Sequence, residues 1–192
     1  DRFSFGGGIK YIGQNIYNES SSSLALDLGL LYTSQDNDFN IGMSISNIGF
    51  DMALSGKDLH QSIDIDPDNL GNNETIIANL NTDSFPLPIL YRMGFSMNRS
   101  VYDNFKLLSS LDMVIPSDDV EHLNLGFELS YIDRVFFRCG YKEIGNTNSE
   151  QGMTFGAGAK IYLFGLDFNL NYAYQDFGVL GYVPHIDFEF NF

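Results

Sequence analysis

The sequence lacks several features that other protein classes need. Its single cysteine, Cys139, cannot form a disulfide within the chain. Ten Lys and Arg stand against 25 Asp and Glu, and a net charge of −15 argues against nucleic acid as a partner, because phosphates are bound by basic side chains. No apolar run approaches the roughly 20 residues of a membrane helix, so a membrane role would require β-strands.

Glycine and aromatic residues are abundant, and they fall in segments where apolar and polar side chains alternate. In residues 123–131, leucine, phenylalanine and tyrosine alternate with Asn124, Gly126, Glu128 and Ser130. This period of two is that of a β-strand with two different faces. About ten such segments occur, each near the ~9–11 residues of a tilted transmembrane strand. They are residues 1–11, 23–32, 39–46, 89–97, 105–113, 123–131, 135–142, 153–161, 166–174 and 183–192.

The last segment, 183–192, carries an aromatic stripe to the final residue. Chain termini are usually polar and loosely held. We therefore predict the closing strand of an outer-membrane β-barrel, whose apolar stripe is the signal read by the barrel assembly machinery; the alternative is the final strand of a soluble β-sandwich. The stripe consists of Ile186, Phe188, Phe190 and Phe192.

Charged side chains in these segments fall on the face opposite the Leu/Phe/Tyr stripe. This separation predicts an all-β fold, an antiparallel transmembrane barrel, with the stripe toward lipid and the charges toward the lumen. A soluble lipid-binding barrel with the stripe turned inward is the alternative. The predicted lumen charges are Arg92, Asp112, Glu128, Arg138, Lys160 and Asp167.

The connections are predicted to alternate between long and short. Residues 12–22, 47–86, 143–151 and 175–185 are read as long, and 132–134 and 164–165 as tight turns. Outer-membrane barrels have short periplasmic turns and long extracellular loops, so 47–86 is predicted to be a long extracellular loop. The same order sends Tyr11, Tyr141, Tyr172 and Tyr174 to the outer rim and Tyr32, Tyr131 and Phe192 to the inner rim, as two aromatic girdles.

Glycines recur on the polar face, where a glycine often marks a bend or a close approach by another backbone. Two explanations stay open: an inserted segment fills the lumen, or the barrel is narrow and strongly curved. The glycines are Gly8, Gly29, Gly42, Gly94, Gly126, Gly140, Gly156 and Gly158.

Four stretches together resemble the PorV/PorQ family of outer-membrane proteins, relatives of the transporter FadL: SFGGGIKYIGQNI, ISNIG at 45–49, LPILYRMGFS at 87–96 and YAYQDFGVLGYVPHIDFEF at 172–190. The resemblance implies a barrel of roughly 14 strands, within the range of bacterial barrels. Residues 1–192 are therefore expected to be one barrel domain that forms the C-terminal part of a larger barrel. The resemblance also implies a role in type IX secretion, binding and passing on secreted cargo. Val183-Pro184-His185 departs from the family, in which a His is more often followed by a basic residue.

The acidic run within 47–86 is the candidate metal site. Its oxygen ligands, Asp64, Asp66, Asp68 and Glu74, are of the kind that Ca²⁺ prefers. Compared with an EF-hand loop that starts at Asp64, however, Asn69 replaces the required Gly and Thr75 replaces the bidentate Glu. A solvated acidic loop is therefore the default interpretation.

No catalytic constellation is recognisable. The three histidines lie on separate connections without the spacing of zinc ligands, and the sequence Asp-Phe-Gly at 176–178 has no other kinase motif beside it. We predict a protein without catalytic residues or cofactors, located in the bacterial outer membrane, whose partners are membrane lipid, the assembly machinery and secretion-system proteins or secreted cargo. A FadL-like channel for hydrophobic small molecules is the second candidate function, and a soluble lipid-binding barrel is the third.

Overall fold

The computed structural model describes residues 2–36, 38–64, 76–163 and 166–191. This part of the chain is all-β, with two single 3-10 turns at Lys57–Leu59 and Gly178–Leu180. The strands are β1 (Phe3–Ile16), β2 (Glu19–Thr33), β3 (Phe39–Gly49), β4 (Ser55–Gly56), β5 (His60–Ile63), β6 (Ile76–Asn79), β7 (Leu90–Tyr102), β8 (Phe105–Pro116), β9 (His122–Tyr131), β10 (Val135–Ile144), β11 (Met153–Leu163), β12 (Leu166–Asp176) and β13 (Tyr182–Asn191).

Eleven strands form one antiparallel sheet, in the order β1-β2-β3-β7-β8-β9-β10-β11-β12-β13, with β4 paired to β2. Strands β5 and β6 form a separate two-stranded sheet. Consecutive long strands are therefore neighbours, which is the up-and-down topology that the short connections predict. In the described part of the chain no ladder joins β1 to β13, so these two strands are the ends of the sheet.

The register confirms the predicted turn at 132–134. Val135 lies opposite Tyr131, and Arg138 lies opposite Glu128. Ile132 and Asp133 adopt positive φ values of 53° and 52°, as the tight connection between two antiparallel strands requires.

The contacts divide the chain into two compact units. Unit 1 comprises Asp1–Gly6, Leu28–Ile45 and Leu90–Phe192, and unit 2 comprises Gly7–Asp27 and Ser46–Ile89. Unit 2 has a small buried core of Ala25, Met52 and Leu87, with Ile12 packed against it. Ser23 on β2 is buried, and its hydroxyl donates to the carbonyl of Phe50 at 2.7 Å. This hydrogen bond holds the start of the connection after β3 against β2.

Two predicted connections differ from the observed ones. Most of 12–22 is strand, because β1 continues to Ile16 and β2 begins at Glu19. The connection after β3 is residues 50–89 rather than 47–86, and it contains β4, β5 and β6. β1 and β2 are neighbours in the sheet. β4 pairs with the tip of β2, with Gly56 opposite Glu19.

Candidate functional site on the polar face of unit 1

The apolar stripe lies on an exposed face of the sheet. Phe127, Phe137, Phe155 and Phe188 are exposed, and Phe168 is half-exposed with its ring 6.1 Å from that of Phe188. None of these rings belongs to the buried core, which lies in unit 2. The shared dry interior that a soluble barrel would need from these phenylalanines is therefore absent from the described residues.

Aromatic pairs lie near the ends of the strands in unit 1. At one end, Phe105 contacts Tyr131 across β8 and β9, with ring centroids 4.9 Å apart. At the opposite end, Tyr174 stacks on Tyr182 across β12 and β13 at 4.7 Å. Tyr131 and Tyr174 thus lie at opposite ends of the sheet, as their predicted places on two rims require.

The other face of the sheet carries a network centred on Arg138. Its Nε donates to Glu128 Oε2 at 2.6 Å, and its Nη1 donates to Asn171 Oδ1 at 2.8 Å. Its guanidinium carbon lies 5.2 Å from the centroid of the Phe136 ring. One side chain therefore joins β9, β10 and β12, and its cation is held by a carboxylate, an amide and an aromatic face.

The network continues to the last strand. The Asn171 amide donates to Asp187 at 3.3 Å, and the Asn169 amide donates to Glu189 at 3.4 Å. Lys160 lies 3.7 Å from Asp167 on the same face. Four of the six predicted lumen charges are thereby brought into two pairs on the polar face: Glu128 with Arg138, and Lys160 with Asp167.

Gly158 makes the link from Arg138 to Asn171 possible. Arg138 must pass over β11, where Gly158 lies opposite Asn171. A Cβ at residue 158 would lie 2.5 Å from Asn171 Oδ1 and 2.9 Å from Arg138 Nη1. The absence of a side chain at this position therefore leaves the space through which the two groups meet.

Two other polar-face glycines also leave space for a side chain of a neighbouring strand. This observation bears on whether the polar-face glycines make room for an inserted segment or reflect a narrow, strongly curved barrel. A Cβ at Gly94 would lie 2.5 Å from Asp112 Oδ1, and one at Gly126 would lie 2.8 Å from Ser110 Oγ. The space at these glycines is thus occupied by side chains of the neighbouring strand. An inserted segment is not needed to explain them.

We expect Gly158→Ala to cost about 1 kcal/mol of unfolding free energy, the typical value of one hydrogen bond, because the Arg138–Asn171 bond must break while the side chains move aside. Chemical denaturation of the folded protein measures the change. Gly8→Ala is the matched control, since a Cβ there meets nothing within 4 Å. Equal stability of the two variants would contradict the proposed role of Gly158.

A groove of about 390 Å³ runs along this network. Glu128, Arg138 and Asn171 line it together with Asp112 and Asn124. The alternation pattern identified the three charged residues of this lining, Asp112, Glu128 and Arg138, but it missed Asn171 as the partner of Arg138. That partner could have been found from the register, because a predicted two-residue connection at 164–165 places Asn171 opposite Gly158, as the β11–β12 ladder shows.

The remaining predicted lumen charges, Arg92 and Asp112, line a second groove, and neither forms an ion pair with another described residue. Of the predicted assembly signal, Ile186, Phe188 and Phe190 are exposed on β13, and Phe192 lies outside the described residues.

Little of the candidate calcium site is within the described residues. Asp64 is described, whereas Asp66, Asp68 and Glu74 lie outside. Over the ranges that the structure describes, no three His, Cys, Asp or Glu side chains are grouped closely enough to hold a metal ion.

No helix in the described ranges is long and apolar enough to cross a membrane. No protein-family model matches the sequence, and a search of curated proteins finds no match.

Proposed function

We propose that the chain is part of an outer-membrane β-barrel of the PorV/PorQ type, which binds secreted cargo and passes it on in type IX secretion. The observation that carries the membrane part of this proposal is the exposed apolar face. Large side chains are exposed on strand after strand, including Leu125, Phe137, Phe155, Leu170 and Ile186. Soluble monomers rarely expose a contiguous apolar patch of more than a few hundred Å². Lipid is the solvent in which such a face is stable.

The distribution of charge supports the same orientation. The ion pairs of Arg138 and Lys160 lie on the face opposite the stripe, where a lumen would supply water. A soluble lipid-binding barrel would bury the stripe instead, and this arrangement argues against that alternative.

The connection 50–89 is the proposed partner-binding surface. It is anchored to the tip of β2: the Asn18 amide donates to Asp58 at 2.8 Å, and the backbone N–H of Asp58 donates to Glu19 at 3.0 Å. Its β5–β6 hairpin exposes Ile76 and Ile77. A connection of this length is commonly functional, and an anchored hairpin with exposed apolar side chains is suited to bind a protein.

Gene deletion tests the functional part. Cells that lack the protein are expected to accumulate proteins with the C-terminal secretion signal in the periplasm, while uptake of long-chain fatty acids stays near normal. Cell fractionation with immunodetection measures the first quantity, and labelled fatty-acid uptake measures the second. Impaired uptake with normal secretion would favour the FadL-like channel instead.

A loop deletion separates partner binding from barrel assembly. The backbone N–H of Leu80 donates to the carbonyl of Leu59 at 2.9 Å, so residues 60–79 can be replaced by a short Gly linker without moving the anchors. We expect a normal amount of assembled protein in the membrane and weaker capture of cargo. A second variant keeps the full length of the connection and replaces only Ile76 and Ile77 with Ser, so it controls for the change in chain length. Unchanged cargo capture by both variants would exclude this surface.

A further inference from the structure

A second groove on the polar face of unit 1 is lined by charges of both signs. It has a volume of about 710 Å³, within the usual range of small-molecule sites. We name it the charged groove. Its charged lining consists of Arg92, Lys142, Asp112, Asp118, Asp119 and Glu143.

The register brings these residues together from four adjacent strands. Arg92 on β7 lies opposite Val114 on β8, which lies opposite His122 on β9. Asp112 lies opposite Asn124 in the next row. The β8–β9 connection adds Asp118 and Asp119 to the lining.

A bulge in β10 adds the remaining two charges. The pairing with β9 shifts between Tyr141 and Ile144, so two residues occupy the space of one. Glu143 adopts a φ of 56°, and its backbone N–H donates to Asn124 Oδ1 at 2.9 Å. Lys142 and Glu143 therefore both line the charged groove, an arrangement that a regular strand would not produce, because successive side chains alternate faces.

The opposite charges in this groove do not pair with one another. The described residues form four ion pairs, which use Lys10, Lys106, Arg138 and Lys160. Within the part of the chain that the structure describes, neither Arg92 nor Lys142 is in an ion pair, although acidic residues outnumber basic ones by 25 to 10 in the sequence and four of them line the same groove. Arg92 is exposed and Lys142 is half-buried.

We propose that the charged groove binds a small zwitterion, a molecule that presents an ammonium together with a carboxylate or phosphate. A purely anionic ligand is opposed by the net charge of −15 and by the four acidic side chains. A purely cationic ligand leaves Arg92 and Lys142 uncompensated. A zwitterion pairs with both sets at once. This inference goes beyond the proposed function and does not depend on it.

A ligand series on the unmodified protein tests the proposal directly. The probes are trialanine, its N-acetyl form without the ammonium, its C-terminal amide without the carboxylate, and phosphoethanolamine, with binding measured by calorimetry. We expect a zwitterion to bind roughly tenfold more tightly than either half-charged form, because one charged hydrogen bond contributes about that factor. Tighter binding of trialanine identifies a peptide-like source, and tighter binding of phosphoethanolamine identifies a lipid headgroup. Equal binding of the zwitterion and its half-charged forms, or no binding of either zwitterion, overturns the proposal.

Variants locate the site. Arg92→Gln combined with Lys142→Gln is expected to weaken trialanine and its N-acetyl form roughly tenfold and to leave the C-terminal amide unweakened. Arg99→Gln, which removes an exposed arginine from the same strand outside the groove, is the matched control. If the double variant does not fold, Arg92→Lys combined with Lys142→Arg keeps both charges and should keep the preference for the zwitterion. A loss of affinity in Arg99→Gln as large as that in the double variant overturns the assignment to this groove.

Discussion

Leu111→Arg is expected to destabilise the protein by about 2–4 kcal/mol in a lipid bilayer, whereas Ser110→Arg next to it is tolerated. Leu111 is exposed on the apolar face near the middle of β8, between Phe95 on β7 and Leu125 on β9. If this face is in contact with lipid, an arginine there loses its hydration. Ser110 lies on the polar face and lines the groove of the Arg138 network, where a cation keeps access to water and to carboxylates.

Reversible unfolding in phospholipid vesicles measures both values. The two substitutions introduce the same side chain one residue apart, on opposite faces of the strand. Ser110→Arg adds more volume than Leu111→Arg, so a larger cost at Leu111 cannot come from added volume and reports on the face. If Ser110→Arg were the more costly of the two, the membrane orientation would have to be reversed or abandoned.

Arg138→Ala is the second substitution with a large expected effect, a loss of about 2 kcal/mol, because it leaves a partly buried carboxylate and an amide without their donor. The side chains of Arg138 and Glu128 are 39% and 24% exposed, so the Glu128 carboxylate is only partly hydrated once the guanidinium is gone. The contact with the Phe136 ring is lost as well.

The control is a second ion pair of equal length. Lys106 Nζ lies 2.6 Å from Asp133, the same distance as in the Arg138–Glu128 pair, but its side chains are 56% and 62% exposed. Exposed pairs contribute little, so Lys106→Ala should change stability by less than about 1 kcal/mol. A double-mutant cycle on Glu128 and Arg138 then isolates the coupling between them. Equal effects of the two alanine substitutions would show that burial does not set the strength of the Arg138 network.

Some features followed from alternation and turn length. Because side-chain direction has a period of two, the sequence assigned Phe127 and Glu128 to opposite faces without any tertiary information. The turn at 132–134 then set Glu128 opposite Arg138, because a tight turn of known length fixes a single register for the two strands that it joins. The face of each strand and this ion pair were therefore predictable from local residues.

The tip of β2 was not predictable in this way. Residues 20–22 are serine and have no apolar alternation, so the sequence predicts that they belong to the connection 12–22. In the structure Ser21 and Ser23 are buried, whereas Ser20 and Ser22 are exposed. β2 lies between β1 and β3 in the sheet, and β4, 35 residues later in the chain, pairs with its tip at Ser20 and Ser55. A backbone pairing of this kind leaves no periodic signal in the side chains.

Contacts that span several strands also escaped prediction. The bond from Arg138 to Asn171 requires two successive registers and an absent side chain at Gly158. The charged groove requires four neighbouring strands and a bulge at 141–144. Alternation within one strand determines which face a side chain takes, because that depends only on the backbone geometry of adjacent residues. Which side chains then meet on that face depends on the register of every pair of strands between them. Those registers are set by the pairing of segments that are distant in the sequence, so only the tertiary structure decides them.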